Sequence, residues 1–456
     1  MQKANHILII LILPLLAMYS CKEVESKTPE QERPKQNDDS GVIYANREDI
    51  ASNISFDEVA RISTYFHQPE NAVKIQFPST ETEYAWQHWS QFYITAPLFR
   101  SGQVSELPYN IHPEISEISF MGRDSKKETV NSHFENFPID AMVAVKGGEI
   151  VYERYKTMRP DDKHIWFSCS KVTGATMLAF LEYEGKVDVT KPVTFYLEEL
   201  KGSDWDGVTV EETLDMATGL NGTEHDEPLH DSRTNPEQIW FRWAATSDVA
   251  VLPGDRSKNW YDILGEMKRV KPGHEAFEYN SINTFVINRI VEKVGKMPMH
   301  EQLSERIWSK LGMEHDADLS VSPSGKTLGW LGMNTSVRDM ARFGMAFTPS
   351  GSKLAGEQII PDAIIKKIQD TSHSDMYAKA YAGKKFAESF PDVRGLANRY
   401  QWDVVFPNGD FFKSGVGGQG LFVSPSQDMV VAWFCTGDGN NLEEVMAREI
   451  IYSLAE

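Results

Sequence analysis

Three hydrophobic patterns divide the chain. Residues 7–18 (ILIILILPLLAM) are continuously apolar, residues 22–40 hold one aliphatic side chain, Val24, and from about 140 onward apolar positions recur at strand and helix periods. The terminal run has the length of a signal-peptide core, falls short of a bilayer span and is interrupted by Pro14. Residues 1–20 therefore read as a cleaved signal. The polar stretch with Pro29 and Pro34 buries too little surface to offset its ordering entropy, so 21–50 reads as a solvated tether. Residues 51–139 mix aromatics with proline and show no clean period, which predicts short helices wrapping a core.

Beyond 140 the periods sharpen. AMVAVKGGEIVYERY predicts two strands joined at Gly147-Gly148. Residues 168–184 predict a helix through Val172, Ala175, Leu178, Ala179 and Leu181, stopped by Gly185. Helices follow at 283–295 and at 335–347, the latter capped by Thr335 or Ser336. The β-branched and aromatic segments 421–425 and 428–435 predict strands, and 442–454 a closing helix. This order predicts one α/β (α+β) unit over 140–456. Its antiparallel sheet is built from both ends of the unit and flanked by helices, with a mostly helical lobe inserted at about 185–350.

Charge narrows the function. The chain carries 46 Lys+Arg and 66 Asp+Glu, a net −20, which repels phosphate backbones and anionic headgroups and excludes a general nucleic-acid binder. Three cysteines exclude a disulfide scaffold. Ser20-Cys21 at the end of the apolar run resembles a bacterial lipoprotein signal. That resemblance implies lipidation of Cys21, residence in the bacterial cell envelope and loss of Lys3, for a mature charge of −20 − 1 = −21. Lys22-Glu23 loosely resembles a surface-export signal, although a charged linker explains it equally well.

Three short motifs carry candidate chemistry. In Ser168-Cys169-Ser170-Lys171 the hydroxyl and amine sit three apart on one helix face, where a buried lysine can take the serine proton. The same spacing at Ser350-Gly351-Ser352-Lys353 falls in a loop rich in Pro and Gly and reads as chance. Tyr279-Asn280-Ser281 precedes a helix and, alone, reads as a core tyrosine with a capping serine. Lys413-Ser414-Gly415-Val416-Gly417-Gly418-Gln419 leads into a strand, either as a flexible hairpin or as an edge whose N–H groups hold an oxyanion. His225-Asp226-Glu227-Pro228-Leu229-His230-Asp231 has metal-type side chains, but Pro228 interrupts it and a solvated loop is the better reading. Cys169 and Cys435 read as buried packing, and Trp166, Trp330 and Trp402 as core or pocket wall.

Taken together and in order, S-x-x-K, Y-x-S and K-S-G resemble the serine β-lactamase/penicillin-binding-protein family. The resemblance is to its class-C-like branch, most closely to 6-aminohexanoate-oligomer hydrolases and related esterases, and it runs from about 140 to 454. It implies a β-lactamase/transpeptidase-like fold and hydrolysis of an amide or ester through an acyl-enzyme. Ser168 would be the nucleophile, Lys171 its base and Tyr279 the proton relay. The N–H groups of Ser168 and Val416 would form the oxyanion hole, and Ser281, Lys413, Ser414, Gly415 and Gln419 would contact substrate, Lys413 either helping to hold the site electropositive or meeting a substrate carboxylate. The loop at 225–231 would line the cleft, its acidity favouring an amine-bearing substrate. The branch usually has Asn where Ser281 stands, and amide-oligomer hydrolases often lack the lysine present here as Lys413. No metal or organic cofactor is implied, and the partner is a small-molecule amide, ester or peptide. Two alternatives stay open: a non-catalytic lipoprotein binding module on this fold, and a D-amino-acid peptidase or β-lactamase acting on cell-wall-type substrates.

Overall fold

The computed structural model describes residues 40–246, 259–439 and 441–454. The signal at 1–20, the lipidation site Cys21 and the tether as far as residue 39 lie outside the described residues.

The predicted hairpin forms strands β1 (Ile139–Lys146) and β2 (Glu149–Tyr155), with Lys146 opposite Glu149 across Gly147 and Gly148. Both glycines have positive φ, +59° and +87°, as a two-residue turn of this hand requires. Five more strands come from the far end of the chain: β3 (Ala397–Arg399), β4 (Trp402–Val405), β5 (Phe411–Gly415), β6 (Gln419–Ser424) and β7 (Met429–Cys435). The sheet order is β2-β1-β7-β6-β5-β4-β3, with every neighbouring pair antiparallel. The last strand thus pairs with the first, Val430 opposite Val145, and the middle of the chain is a long excursion between them.

Both faces of this sheet are covered, and the period-2 alternation divides them. Ala141, Val143 and Val145 enter one core, while Met142 and Ala144 enter another. Helix α4 (Glu443–Ser453) closes the second core through Met446, Ala447, Ile450 and Ile451. Helix α3 (Val337–Met345) lies in the first, so close that a Cβ on Gly344 would meet Val430 Cγ1 at 2.6 Å. Its cap is Ser336, whose hydroxyl accepts from Asp339 N at 3.2 Å.

Helices α1 (Lys171–Tyr183) and α2 (Ser281–Gly295) also lie in the first core. A Cβ on Gly174 would come within 2.0 Å of Asn288 Oδ1. Glycine inside α1, normally unfavourable by about 1 kcal/mol, is what permits this approach. The excursion is mostly helical as expected, with one addition. Thr95–Leu98, Ala317–Ser320, Met333–Thr335 and His164–Ile165 form a second, four-stranded antiparallel sheet. Strands of two to four residues are too short to show a period.

The N-terminal segment contributes helices at Phe56–His67 and Thr80–Gln87 and a strand to that small sheet. Its aromatics make a third core, in which Phe66, Tyr84, Trp86 and Trp89 surround Ile165 and Phe167. The second S-x-x-K copy is not the loop expected of it. Ser350 precedes a short helix, Gly351–Ala355, and Lys353 Nζ donates to Gly147 O at 2.5 Å, so the copy braces the β1–β2 turn.

Candidate active site

Ser168 sits in a 3₁₀ turn, Phe167–Ser170, that runs directly into α1. Side chains three apart eclipse in a 3₁₀ turn, which aligns this serine and lysine more directly than the α-helix expected from 168 onward. Lys171 Nζ lies 2.9 Å from Ser168 Oγ and donates to Trp330 O, also at 2.9 Å. The amine is fully buried. Burial lowers its pKa to about 7, with the charges of Lys413 and Arg233 pushing the same way and those of Glu224 and Asp403 opposing. Near neutrality much of Lys171 is therefore a free amine.

The residue before Ser168 is unusual. Phe167 has φ +45°, a left-handed conformation that a bulky side chain rarely adopts. Its ring is held edge-on by Trp86 and Trp89, at centroid distances of 4.8 and 5.8 Å. The far side of the turn is tied to the small sheet: Trp166 N donates to Met333 O, and Met333 N to Ser170 Oγ.

Tyr279 is buried beside the pair, with two lysine side chains close to its ring. Lys171 Nζ is 5.2 Å and Lys413 Nζ 4.8 Å from the ring centroid. Burial, followed by the negative charges of Asp403 and Glu224, pushes the phenol well above its ordinary pKa, while a hydrogen bond with Ser168 opposes them. It is a neutral phenol at neutral pH. Asn280, not Ser281, caps α2, accepting from Ile282 N at 2.9 Å. Ser281 is instead the first helical residue, and both its N–H and its hydroxyl donate to Glu224 Oε1.

Lys413 is where the structure departs most from the expected site. It is fully buried and ion-paired with Asp403, with Tyr279 Oη 3.3 Å away, so it does not meet a substrate carboxylate. Its ammonium stands behind Tyr279 and fixes that ring. Asp403 also accepts from Ser414 N at 3.0 Å and Ser414 Oγ at 2.6 Å. Gln419 likewise turns into the protein. Its amide holds Val416 O and Cys435 O at 3.2 and 2.5 Å and accepts from Cys435 N. It shapes the glycine loop from below, although it also lines the cleft.

That loop is a built edge. Gly418 N closes onto Gly415 O at 3.1 Å, and Gly437 N donates to Gly417 O at 2.9 Å. Gly415 lies so close to the serine turn that a Cβ would meet Trp166 O at 2.5 Å. Gly417 has φ +88°, and a Cβ there would strike the Trp86 ring at 2.4 Å. Among the described residues the N–H groups of Ser168 and Val416 donate to no backbone acceptor. Cys169, beside the nucleophile candidate, turns away and donates Sγ–H to Lys413 O at 3.4 Å; burial pushes its thiol up, so it is inert packing.

Two cavities share Gln76, Ser168, Glu224, Arg233 and Val416. One is aromatic, walled by Trp89, Tyr93, Phe167, Trp240 and Trp330. The other is wider and runs along Tyr279, Ser414–Gln419, Tyr381 and the start of α4. Of the three tryptophans considered in the sequence, Trp330 lines a cavity while Trp166 and Trp402 are core. The 225–231 loop reaches the cleft only through His225, with Glu224 just before it. Asp226 and Glu227 are used inside the protein: Asp226 Oδ1 accepts from Tyr381 N at 2.9 Å, and Glu227 Oε1 from Gly222 N and Thr223 N. The expected acidic cleft wall is therefore not theirs to provide.

Glu224, Arg233, Asp403, Trp86 and Trp89 are site residues that the sequence reading missed. Asp403 left a trace. The registers Val404–Phe412 and Val405–Phe411 about Asn408-Gly409 continue to Asp403–Lys413, a pairing readable from the turn. The others come from aperiodic segments.

This fold with this Ser–Lys–Tyr cluster belongs to one class of protein. A beta-lactamase family model matches residues 130–456, and the chain belongs to that family. It is 30% identical over 294 residues to a 6-aminohexanoate-dimer hydrolase of Paenarthrobacter ureafaciens, covering 64% of this chain and 71% of that one. A Bacillus anthracis protein described as a 6-aminohexanoate-dimer hydrolase superposes with a TM-score of 0.66 at 24% identity, covering 82% of this chain and 93% of that one. A penicillin-binding-protein homologue from Caulobacter crescentus shares the fold, with a TM-score of 0.52 at 19% identity over 72% of this chain and 96% of that one.

Proposed function

We propose that this chain is a serine hydrolase that cleaves an amide or ester bond of a small molecule through an acyl-enzyme on Ser168. The observation that carries the reading is the 2.9 Å contact between Ser168 Oγ and a Lys171 amine whose pKa burial lowers to about 7. The neutral amine takes the serine proton as Oγ attacks the carbonyl. The N–H groups of Ser168 and Val416 receive the developing oxyanion. The neutral Tyr279 phenol passes a proton to the leaving amine or alcohol and is reprotonated from Lys171. In the second half a water loses its proton along the same path, attacks the acyl carbonyl and returns Ser168 with release of the acid. The likeness to the 6-aminohexanoate-dimer hydrolase of Paenarthrobacter supports linear amides among the substrates.

The test is labelling with a fluorophosphonate, together with turnover of p-nitrophenyl esters, a cephalosporin, D-aminoacyl amides and aminohexanoate oligomers. Ser168→Ala should abolish labelling and lower kcat by about three orders of magnitude or more. A retained rate or label refutes the assignment. The sequence before the fold supports a second proposal, that lipidated Cys21 holds the protein at a bacterial envelope membrane. Cys21→Ser should move it to the soluble fraction, and continued membrane association would count against the anchor.

A further inference from the structure

The charges around the two cavities are not equivalent, because almost all of them are committed. Glu224 is ionised: burial pushes it up, but Lys171, Arg233 and His225 together with the Ser281 hydrogen bond hold it below its ordinary value. Both Ser281 donors saturate one of its oxygens. In the wider cleft Glu443 is pushed up to about 8, chiefly by burial, and is mostly neutral near pH 7. Glu444 is also raised by burial and accepts from Ser389 Oγ at 2.9 Å. Asp438 pairs with Arg123 at 3.2 Å. Burial lowers His225, against the opposing charge of Glu224. Among the cations, Lys413 belongs to Asp403 and Lys171 to Ser168. Lys385 stands on the Tyr381–Ser389 helix in the wide cleft only.

Arg233 differs from all of these. It lines both cavities, as Ser168 does. Among the described residues it makes no hydrogen bond and no ion pair. Its guanidinium lies over the Trp240 ring, 5.8 Å from Cζ to the centroid, and its charge also acts on Glu224 and Lys171 without a direct contact. A guanidinium over an aromatic face keeps its five N–H donors in the plane and free for a planar bidentate acceptor. An arginine that makes no hydrogen bond or ion pair among the described residues, beside Ser168, keeps its N–H donors available to a carboxylate. We infer that Arg233 is a specificity-determining residue that binds a carboxylate carried by the substrate of Ser168, in place of the amine-bearing end that the acidic loop suggested. This inference rests on the hydrolase reading above.

The experiment compares esters within one enzyme, so that shared effects on the chemistry cancel. Mono-p-nitrophenyl glutarate is set against p-nitrophenyl butyrate, and 3-carboxyphenyl butyrate against phenyl butyrate. In at least one pair the wild type should prefer the carboxylate-bearing ester by about ten-fold or more in kcat/KM, the size of a charge-assisted hydrogen bond. Arg233→Gln should remove most of that preference, mainly through KM. Arg233→Lys should keep part of it, and Arg233→Glu should invert it. Lys385→Gln should leave the ratio in place. In the Ser168→Ala protein, calorimetric binding of glutarate monoanilide should weaken about ten-fold on adding Arg233→Gln. A wild-type ratio near one in both pairs, or a ratio that survives Arg233→Gln, overturns the inference while leaving a working hydrolase. Absent turnover with Arg233-dependent binding intact overturns the hydrolase reading while leaving the carboxylate site.

Discussion

The contact between Trp86 and Gly417 joins a segment outside the 130–456 family match to the loop that carries Val416. Gly417→Ala places a Cβ at φ +88° and 2.4 Å from ring carbon Cζ3 of Trp86. The left-handed backbone costs about 1–2 kcal/mol for an L-residue, and the steric conflict adds about 1–3 kcal/mol. Trp86→Ala removes the obstacle but opens a cavity, at about 3–5 kcal/mol, and leaves Ile75 O without its 2.7 Å donor. The double variant retains the backbone strain, the cavity and the 2.9 Å approach to Gln419 Nε2, but not the conflict with the ring. It should be more stable than the sum of the single changes by about 1–3 kcal/mol. Urea unfolding of the four proteins measures this coupling, and ester turnover measured alongside reports the site. Because Trp86 also buttresses Phe167, Trp86→Ala should lower kcat by about 10–100-fold with a smaller change in KM, approaching the loss of one oxyanion donor. Additivity within about 0.5 kcal/mol, or an undiminished kcat, would refute the view that this contact sets the loop.

Two further outcomes follow from the buried charges. On the proposed mechanism kcat/KM for a neutral ester should rise with pH through about 7 and level off, because a Lys171 base has to lose its proton before it accepts one from Ser168. Glu224 opposes that lowering, so Glu224→Gln should move the rising limb to lower pH, and a limb that stays or moves upward would contradict the charge argument. Asp403→Asn strands the Lys413 ammonium in the interior and should cost about 3–5 kcal/mol, read as a lower thermal midpoint. Adding Lys413→Met should restore part of it, and an unchanged midpoint in Asp403→Asn would refute the pairing.

Local signals carried far into this molecule. The β1–β2 hairpin, the two last strands, the three helices around the site and the closing helix all lie within a few residues of where periodicity puts them, because each is long enough for its buried face to repeat. Ser168, Lys171 and Tyr279 were legible because S-x-x-K is a short-range geometry and its order with the later motifs restricts the choice. What escaped is non-local or too short to repeat. Trp86 and Phe167 meet across 81 residues with no pattern to join them. Glu224 and Arg233 lie in a polar loop whose residues look alike until the fold assigns partners to Asp226 and Glu227. Lys413 was assigned to the substrate because a strand pattern gives its position but not which neighbour, Asp403 or a ligand, takes its charge.

The seating of Phe167 beneath two tryptophans has a consequence for how such a protein diversifies. Ser168, Lys171 and Tyr279 lie in the portion that the family model matches, whereas Trp86, Trp89, Tyr93 and Gln76, which wall or support the cavities, precede it. The aromatic cavity is thereby walled from two stretches of one polypeptide, with Phe167, Arg233, Trp240 and Trp330 on the later one. A graft limited to residues 130–456 would carry Ser168, Lys171, Tyr279 and Arg233 but would leave the Phe167 turn without the two rings that seat it, so the two stretches must change together.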